Sequence, residues 1–324
     1  MNEPTSAAPQ VSILIVSWNT RDLLDDCLTS VAAKTRVPHE VIVVDNASAD
    51  GSADMVRRLH PGVRLVASEK NLGFVKGNNE AARLATGANL LLLNPDTKLE
   101  TDAVGGLDRL LRSDPSIGAA GCKILNADGS IQWTCAGRFP GPWNEFTSLL
   151  FLHRIAPRLF PTREQTWWDH EDDRDVECLS GACMMVRRDL WEALGGFDPA
   201  IFMYAEDVDL CCRVLESGKR VRYLASESVW HFEGASSDQR KESFYSLVAQ
   251  MSSNAYFLGK HFGALRAVAY RAAVFAGSSF RLVLGTLGYP FLPSPPGRSR
   301  GWFLRKNLAL LRWSLAPSEM QRPA

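Results

Sequence analysis

The sequence predicts an α/β fold, a doubly wound and mostly parallel sheet followed by a basic helical extension. Three observations predict it. Strand-length apolar runs alternate with helix-period segments across the first 125 residues or so, joined by short connections. Several runs stop abruptly in polar residues, which places ligand-binding groups at the carboxyl edge of such a sheet. The distal part of the chain carries one sign of charge: from Lys260 onward there are ten Lys and Arg and one acid, Glu319.

Taken in order, Val11 to Val16 is an unbroken apolar run, a strand buried on both faces, ending at Ser17-Trp18-Asn19-Thr20. Thr20 is placed to cap a helix over Arg21 to Lys34, where Leu23, Leu24, Cys27, Leu28 and Val31 recur at helical spacing. Val41 to Val44 is the second strand and runs into Asp45-Asn46-Ala47-Ser48. Met55, Val56 and Leu59 mark a short helix stopped by Pro61-Gly62, and Val63 to Val66 supplies a third strand. Asn71-Leu72-Gly73-Phe74-Val75-Lys76-Gly77-Asn78-Asn79 then leads into an alanine-rich helix through Ala85. Its glycines allow close approach to backbone and its free amides favour an anion, although a purely structural turn has the same composition. It is neither a P-loop nor a dinucleotide fingerprint.

Leu90 to Leu93 reads as a central strand, broken at once by Asn94-Pro95-Asp96. In extended backbone Asn94 and Asp96 point the same way, so they can hold a ribose hydroxyl and a hard divalent cation, Mg²⁺ or Mn²⁺. An Asn-Pro-Asp turn capping the next helix uses the same residues. Val104, Leu107, Leu110 and Leu111 give that helix, Ile117 to Ile124 a fifth strand, and Asn126-Ala127-Asp128-Gly129 a hairpin-type turn.

From Trp133 to Glu177 the chain is rich in proline, tryptophan and acids and reads as an excursion over the mouth of the site. Its acids Glu171, Asp172, Asp173, Asp175 and Glu177 have the composition of a solvated loop. Trp133, Trp143, Trp167 and Trp168 suit stacking on a sugar ring or a place in the core. Cys178 to Arg187 is strand-like, and Asp189 caps a short helix broken by Gly195-Gly196. Val208, Cys211, Cys212 and Leu215 form the buried face of a helix ending at Gly218, so Glu206, Asp207 and Asp209 crowd its first turn. Acids there complement the helix dipole. Three in four residues exceed what a cap requires, and a carboxylate on a pocket rim has the chemistry of a general base. Strand-like Arg220 to Leu224 precedes Val229-Trp230-His231-Phe232-Glu233-Gly234, where His231 is either a satisfied core residue or a group reaching the Asp96 region.

The 324 residues, 46% hydrophobic, suit one large catalytic domain with an appendage or two modest domains. Lys+Arg and Asp+Glu both total 36, which argues neither for nor against nucleic acid. Seven cysteines without zinc-like spacing read as buried thiols in a reducing compartment, with Cys211-Cys212 filling core. Met1 to Gln10 lacks a basic flank before an apolar run, so no signal peptide is expected. Between Ala264 and Leu292 the apolar sequence is interrupted by Arg266, Arg271, Arg281 and Pro290, short of the roughly 18 residues a membrane span requires.

Several stretches together resemble the inverting glycosyltransferases of family 2, which have the nucleotide-binding GT-A fold. They are Val16-Ser17-Trp18-Asn19, Val43-Val44-Asp45-Asn46-Ala47-Ser48, Asn71-Leu72-Gly73-Phe74, Asn94-Pro95-Asp96, Gly195-Gly196-Phe197-Asp198 and Glu206-Asp207-Val208-Asp209-Leu210. Asp128-Gly129-Ser130-Ile131-Gln132 and the Tyr204 to Leu210 stretch look most like the bacterial rhamnosyltransferase branch. The resemblance implies transfer of a sugar, best matched by L-rhamnose from dTDP-rhamnose, to a saccharide hydroxyl in cell-envelope polysaccharide synthesis. It implies a donor nucleotide site of Trp18, Asn19, Asp45, Asn71, Gly73, Asn78 and Asn94, and a metal held by Asp96 with His231. Asp207 is then the base, with Tyr204, Glu206 and Asp209 on the acceptor side. Asn94 departs from the family's Asp-x-Asp signature and leaves one carboxylate for the metal.

On this reading residues 1–10 are a tail, 11–125 the nucleotide-sugar half, 126–257 the acceptor and catalytic half, and 258–324 a basic amphipathic extension. Leu304, Leu308, Leu311 and Leu315 recur at helical spacing there, with Arg298, Arg305 and Arg312 spaced by sevens and Trp302 and Trp313 as interfacial anchors. Such a helix suits an anionic membrane surface, its own domain, or a homodimer partner. The expected acceptor is a lipid-linked saccharide at the inner face of the cytoplasmic membrane, with no nucleic-acid partner. Competing readings are a sugar-nucleotide pyrophosphorylase, whose glycine-rich basic loop after the first strand is missing here, and a non-catalytic saccharide-binding protein.

Overall fold

The computed structural model describes residues 8–164, 168–201, 203–232, 244–288 and 301–316. Trp167, Glu233, Gly234, Pro290, Arg298 and Glu319 lie outside them. The chain opens with β1 (Val11–Ser17), α1 (Arg21–Lys34), β2 (His39–Asp45), α2 (Ser52–Leu59), β3 (Arg64–Ala67), α3 (Gly73–Leu84) and β4 (Asn89–Leu93). Next come β5 (Thr97–Leu99), α4 (Ala103–Ser113), β6 (Ile117–Leu125), β7 (Ala136–Gly137), α5 (Pro142–Leu149), α6 (Leu152–Ile155), β8 (Arg174–Asp175) and β9 (Cys178–Leu179). The remainder is β10 (Cys183–Arg187), α7 (Arg188–Leu194), α8 (Glu206–Glu216), β11 (Arg220–His231), α9 (Tyr245–Phe262), α10 (Ala264–Leu287) and α11 (Trp302–Leu315).

Two units emerge. The first comprises residues 1–137 and 169–239, the second 138–168 and 240–324. The first is organised on one sheet of order β3-β2-β1-β4-β10-β6-β11-β5, with β8 alongside β11. The pairs β3–β2, β2–β1, β1–β4 and β6–β11 are parallel, and β10 runs antiparallel between β4 and β6. All residues of β1 and β4 are buried, which is why both read as continuous apolar runs.

Three departures from the sequence reading bear on the site. The segment expected as a loop through Asn79 is helical from Gly73, whose φ of 76° suits a residue without a Cβ. The expected single strand over Cys178 to Arg187 is two strands in different sheets: β9 pairs with β7 and β10 with β4. Between them Ser180 donates to Cys135 O and Ala182 accepts from the Asn94 amide, each in its neighbouring register, and the Gly181 amide is left to a partner outside the strands. Asp189 lies inside the first turn of α7 rather than at its cap, which is Arg187.

All seven cysteines are buried and unbridged, as their spacing suggested. The acids of the 171–177 stretch are engaged on the surface of the first unit: Lys123 with Glu171, Arg174 with Asp172, and Arg220 and Arg222 with Asp175. Trp168 is buried, whereas Trp133 and Trp143 are exposed.

In the second unit α10 packs on α5, α9 and α11. Close approach is possible because Gly277 and Gly285 present no Cβ: one added there would meet Leu149 Cβ at 2.5 Å and Leu304 Cδ2 at 2.7 Å. The leucine stripe of α11, expected to meet a membrane, its own domain or a partner, is partly exposed. Asn307, Leu310 and Trp313 are buried, while Leu308 and Leu315 are exposed.

On α8, Asp209 turns into the core, fully buried and 2.7 Å from Arg213 Nη2 one helical turn on, which sets it apart from an acceptor-contacting role. Removing one member of such a pair leaves an uncompensated charge. Asp209→Ala is expected to cost about 3 kcal/mol of stability, read as a lowered denaturant midpoint with an unchanged slope.

Candidate active site

β4 leaves the sheet at Asn94, and its successor β5 pairs antiparallel with the end of β11, setting His231 opposite Thr97. The Phe232 amide also donates to Asp96 O at 2.9 Å. Sheet pairing between segments 135 or so residues apart thus brings His231 to the Asn94-Pro95-Asp96 turn. That turn is held from within by Thr97, whose amide and hydroxyl both donate to Asn94 O, at 3.2 and 2.7 Å.

The side chains form a compact donor set. Asp96 and His231 are 4% and 8% exposed, with Asp96 Oδ1 lying 3.2 Å from His231 Nε2. Asn94 Nδ2 is 3.1 Å from the same nitrogen. The imidazole tautomer follows from Gln132. Its Nε2 donates to Asn126 Oδ1 at 3.0 Å and His231 O at 3.2 Å, so its Oε1 faces His231 Nδ1 at 2.8 Å and that nitrogen carries the proton. In the neutral ring this turns the Nε2 lone pair toward Asn94 Nδ2 and the Asp96 carboxylate. Asp96 Oδ1 and Asn94 Oδ1 are buried and accept no hydrogen bond. Buried acceptor atoms gathered in this way suit a cation among them. One carboxylate, one neutral imidazole and one amide oxygen fit a hard divalent ion that completes its shell with a phosphorylated ligand. Asp96, His231 and Asn94, the residues given to the metal and the donor from the sequence, are thus brought together.

Asp207 opens α8 after Tyr204 and Ala205, both with positive φ, at 65° and 63°. Its Oδ2 accepts from the Gly181 amide at 2.9 Å and its Oδ1 from the Val208 amide at 2.8 Å. The next residue, Ala182, accepts from the Asn94 amide through its carbonyl at 3.0 Å. Two consecutive residues between β9 and β10 thus tie Asp207 to the turn bearing Asp96. Asp207 is partly exposed, whereas neighbouring Glu206 is buried.

A second wall comes from the ends of β1 and β2. Asp45 is buried; its Oδ2 accepts from the Ser48 amide at 3.1 Å, and its Oδ1 is buried without a partner. Such an orphaned acceptor suits a donor group on a ligand, a hydroxyl or an N–H. Asn19, at φ 53°, accepts from the Ala49 amide through Oδ1 at 2.8 Å and donates its own amide to Ser48 Oγ at 2.9 Å, lacing the two strand ends together beside the half-buried Trp18. Asn46 Nδ2 donates to Gly73 O at 3.2 Å and its Oδ1 accepts from the Leu72 amide at 3.3 Å, fixing the start of α3 against β2. Asn71 is exposed and caps the Gly73 amide at 2.8 Å. Asn78 is placed differently: because α3 begins early, it is 1% exposed and donates to Phe74 O at 3.0 Å within the helix.

Gln132 and Asn46 are site-building residues to which the sequence attached no role. Asn46 directly follows Asp45 at a strand end, and Gln132 lay in the stretch that carried the resemblance.

A family model described as glycosyltransferase-like family 2 matches residues 9–251, and the chain belongs to that family. It is a glycosyltransferase. N-acetylglucosaminyl-diphospho-decaprenol L-rhamnosyltransferase of Mycobacterium tuberculosis is 29% identical over 274 residues, covering 79% of this chain and 86% of the relative. Rhamnosyltransferase WbbL of Escherichia coli is 26% identical over 243 residues, covering 73% and 87%. Among solved structures, a mannosyltransferase from Pyrobaculum calidifontis in complex with GDP-Man and Mn²⁺ matches at a TM-score of 0.54 and 20% identity, covering 95% of this chain and 86% of that one. GalNAc-T7 with UDP, GalNAc and Mn²⁺ also gives 0.54, at 16% identity, covering 78% and 51%. These two likenesses show the fold, a GT-A sheet with C-terminal helices.

Gln132→Ala frees the imidazole to rotate and change tautomer. Mn²⁺ titrated calorimetrically with UDP present is expected to bind about tenfold more weakly than to the parent chain; equal affinity would show that His231 needs no such orientation.

Proposed function

We propose that this enzyme is an inverting rhamnosyltransferase that moves L-rhamnose from dTDP-rhamnose to a hydroxyl of a lipid-linked saccharide. The observation that carries the reading is the joining of Asp207 and the Asn94–Asp96–His231 group to adjacent residues, Gly181 and Ala182. It brings the Asp207 carboxylate and the Asn94–Asp96–His231 group to one strand end, which supports a proton acceptor facing a cation. The names of the two relatives above, both rhamnosyltransferases and one acting on a diphospho-decaprenol, support the donor and acceptor classes.

In this mechanism Asp45 accepts a hydrogen bond from the base or ribose of the donor, with Trp18 and Asn19 forming the adjoining wall. Asp96, His231 and Asn94 would hold Mg²⁺ or Mn²⁺. A divalent cation there would offset the charge growing on the leaving diphosphate. The two amides on Asp207 fix its carboxylate while leaving lone pairs to take the proton of the acceptor hydroxyl. The freed oxygen attacks the anomeric carbon from the face opposite the nucleotide, which inverts the configuration. Tyr204 and Glu206, flanking Asp207, stand on the acceptor side. Because the acceptor carries a lipid, the enzyme works at the inner face of the cytoplasmic membrane.

Asp207→Asn keeps the shape and removes the base. Transfer from dTDP-rhamnose is expected to fall about a thousandfold in kcat, while calorimetric affinity for dTDP stays within twofold or so of the parent. Unchanged turnover would remove Asp207 from the reaction, and a saccharide-binding protein without turnover would show no transfer in either form.

A further inference from the structure

The second unit differs from the first in what it shows to solvent. Among the described residues, the exposed large apolar side chains of the first unit are Leu59 and Trp133; all the others lie in the second. Their densest row is on α10, where Leu265 is 82% exposed, Val268 61%, Val283 58% and Leu287 76%. With Ala272, Phe275 and Ala276, also exposed, they fall on one helical face; buried Tyr270, Val274, Gly277, Ser278 and Gly285 fall on the other.

The arginines that interrupt this apolar sequence do not interrupt the face. Arg271 turns toward the end of α11, donating to Trp313 O at 2.8 Å and to Ala316 O, its guanidinium 4.8 Å from the Trp313 ring centre. Arg281 turns to the end of α5, donating to Leu149 O at 2.6 Å and Ser148 O at 2.9 Å. Each cation donates to carbonyls at a neighbouring helix C-terminus, where the helix dipole favours positive charge. Two of the charges that counted against a membrane span are therefore off the outer face, and α10 is long and apolar enough by length and composition to cross a bilayer. Its inner face, carrying Arg271, Arg281 and Tyr270, is committed to α5, α9 and α11, so only one side is available to lipid.

Charge identifies the occupant. The described residues of the second unit include eleven Lys and Arg against two acids, Glu145 and Glu164. Even with Arg271 and Arg281 turned inward the unit stays basic, so a second copy of it would be repelled, whereas an anionic bilayer is attracted. We propose that α10 lies in the plane of an anionic membrane, with Leu265, Val268, Phe275, Val283 and Leu287 among the acyl chains and basic residues such as Arg266 and Arg305 at the headgroups. This rests on the lipid-linked acceptor of the proposed function and names the element that meets the lipid, α10 rather than the leucine stripe of α11.

The test uses the full chain and sedimentation with vesicles of phosphatidylglycerol and phosphatidylcholine. The parent is expected to co-sediment with the anionic vesicles, less so at high salt, and not with pure phosphatidylcholine. The double variant Val268→Glu/Val283→Glu is expected to lose at least about tenfold in partitioning, with an unchanged melting curve and unchanged rhamnosyl transfer to a soluble short-chain acceptor. Leu308→Glu/Leu315→Glu is expected to change partitioning less. The proposal is overturned if the α10 variant sediments like the parent, if the α11 variant alone abolishes binding, or if the α10 changes convert a dimer to a monomer without affecting vesicle binding. Failure of the parent to transfer rhamnose to the soluble acceptor would instead overturn the proposed function, whatever the vesicles show.

Discussion

The site depends on a break in hydrogen-bonded structure at Gly181. On one side of it Ser180 still donates to Cys135 O in the β7–β9 register, and on the other Ala182 O still accepts from the Asn94 amide in the β4–β10 register. Between the two ladders the Gly181 amide has no strand partner and receives Asp207 from the start of α8, while the adjoining Ala182 holds Asn94 at the end of β4. Backbone groups of adjacent residues are separated by fixed covalent geometry, so the spacing of the two halves is set by bond lengths rather than by flexible side chains. Phe74, at the start of α3, approaches the same point: a Cβ on Gly181 would lie 3.8 Å from its ring and 3.5 Å from Asp207 Cβ.

With Asn94 where the family's signature has an acid, the proposed cation site carries one negative charge fewer. The amide brings an oxygen of its own, and its nitrogen lies 3.1 Å from His231 Nε2. The imidazole is oriented from behind by Gln132, itself fixed through Asn126 and the His231 carbonyl. In the proposed cation site a chain of neutral groups would take over part of the work of a carboxylate. Neutral ligands bind a divalent cation less tightly than charged ones, which favours association with a nucleotide diphosphate already carrying the ion.

Much of this was legible in the sequence, for identifiable reasons. β1 and β4 are buried on both faces, so their apolar runs gave both position and sheet type, and α1 was readable to its terminal residues. Polar residues after apolar strands marked Asp45, Asn94 and Asp96, since parallel sheets leave little else for such residues to do. What escaped depended on long-range pairing. Nothing local to Gln132 announces that it will meet a histidine 99 positions later. Asp209 and Asp207 are equivalent in a list of acids at a helix start; only the packing of α8, which turns one to Arg213 and the other to Gly181, separates them. Asn78 was misplaced because α3 begins at Gly73, ahead of the glycine that looked like part of a loop. The arginines of α10 misled for a related reason: periodicity reveals where a charged residue starts, and their long stems carried the charge to the ends of α5 and α11.

The seven buried thiols have a practical corollary. With every sulfur shielded by packing, maleimides and other alkylating probes have no ready target on the folded protein. A single cysteine introduced on the surface can then carry a fluorophore or spin label without first stripping the natural ones from the core, whose removal would open cavities beside β4, β6 and α8.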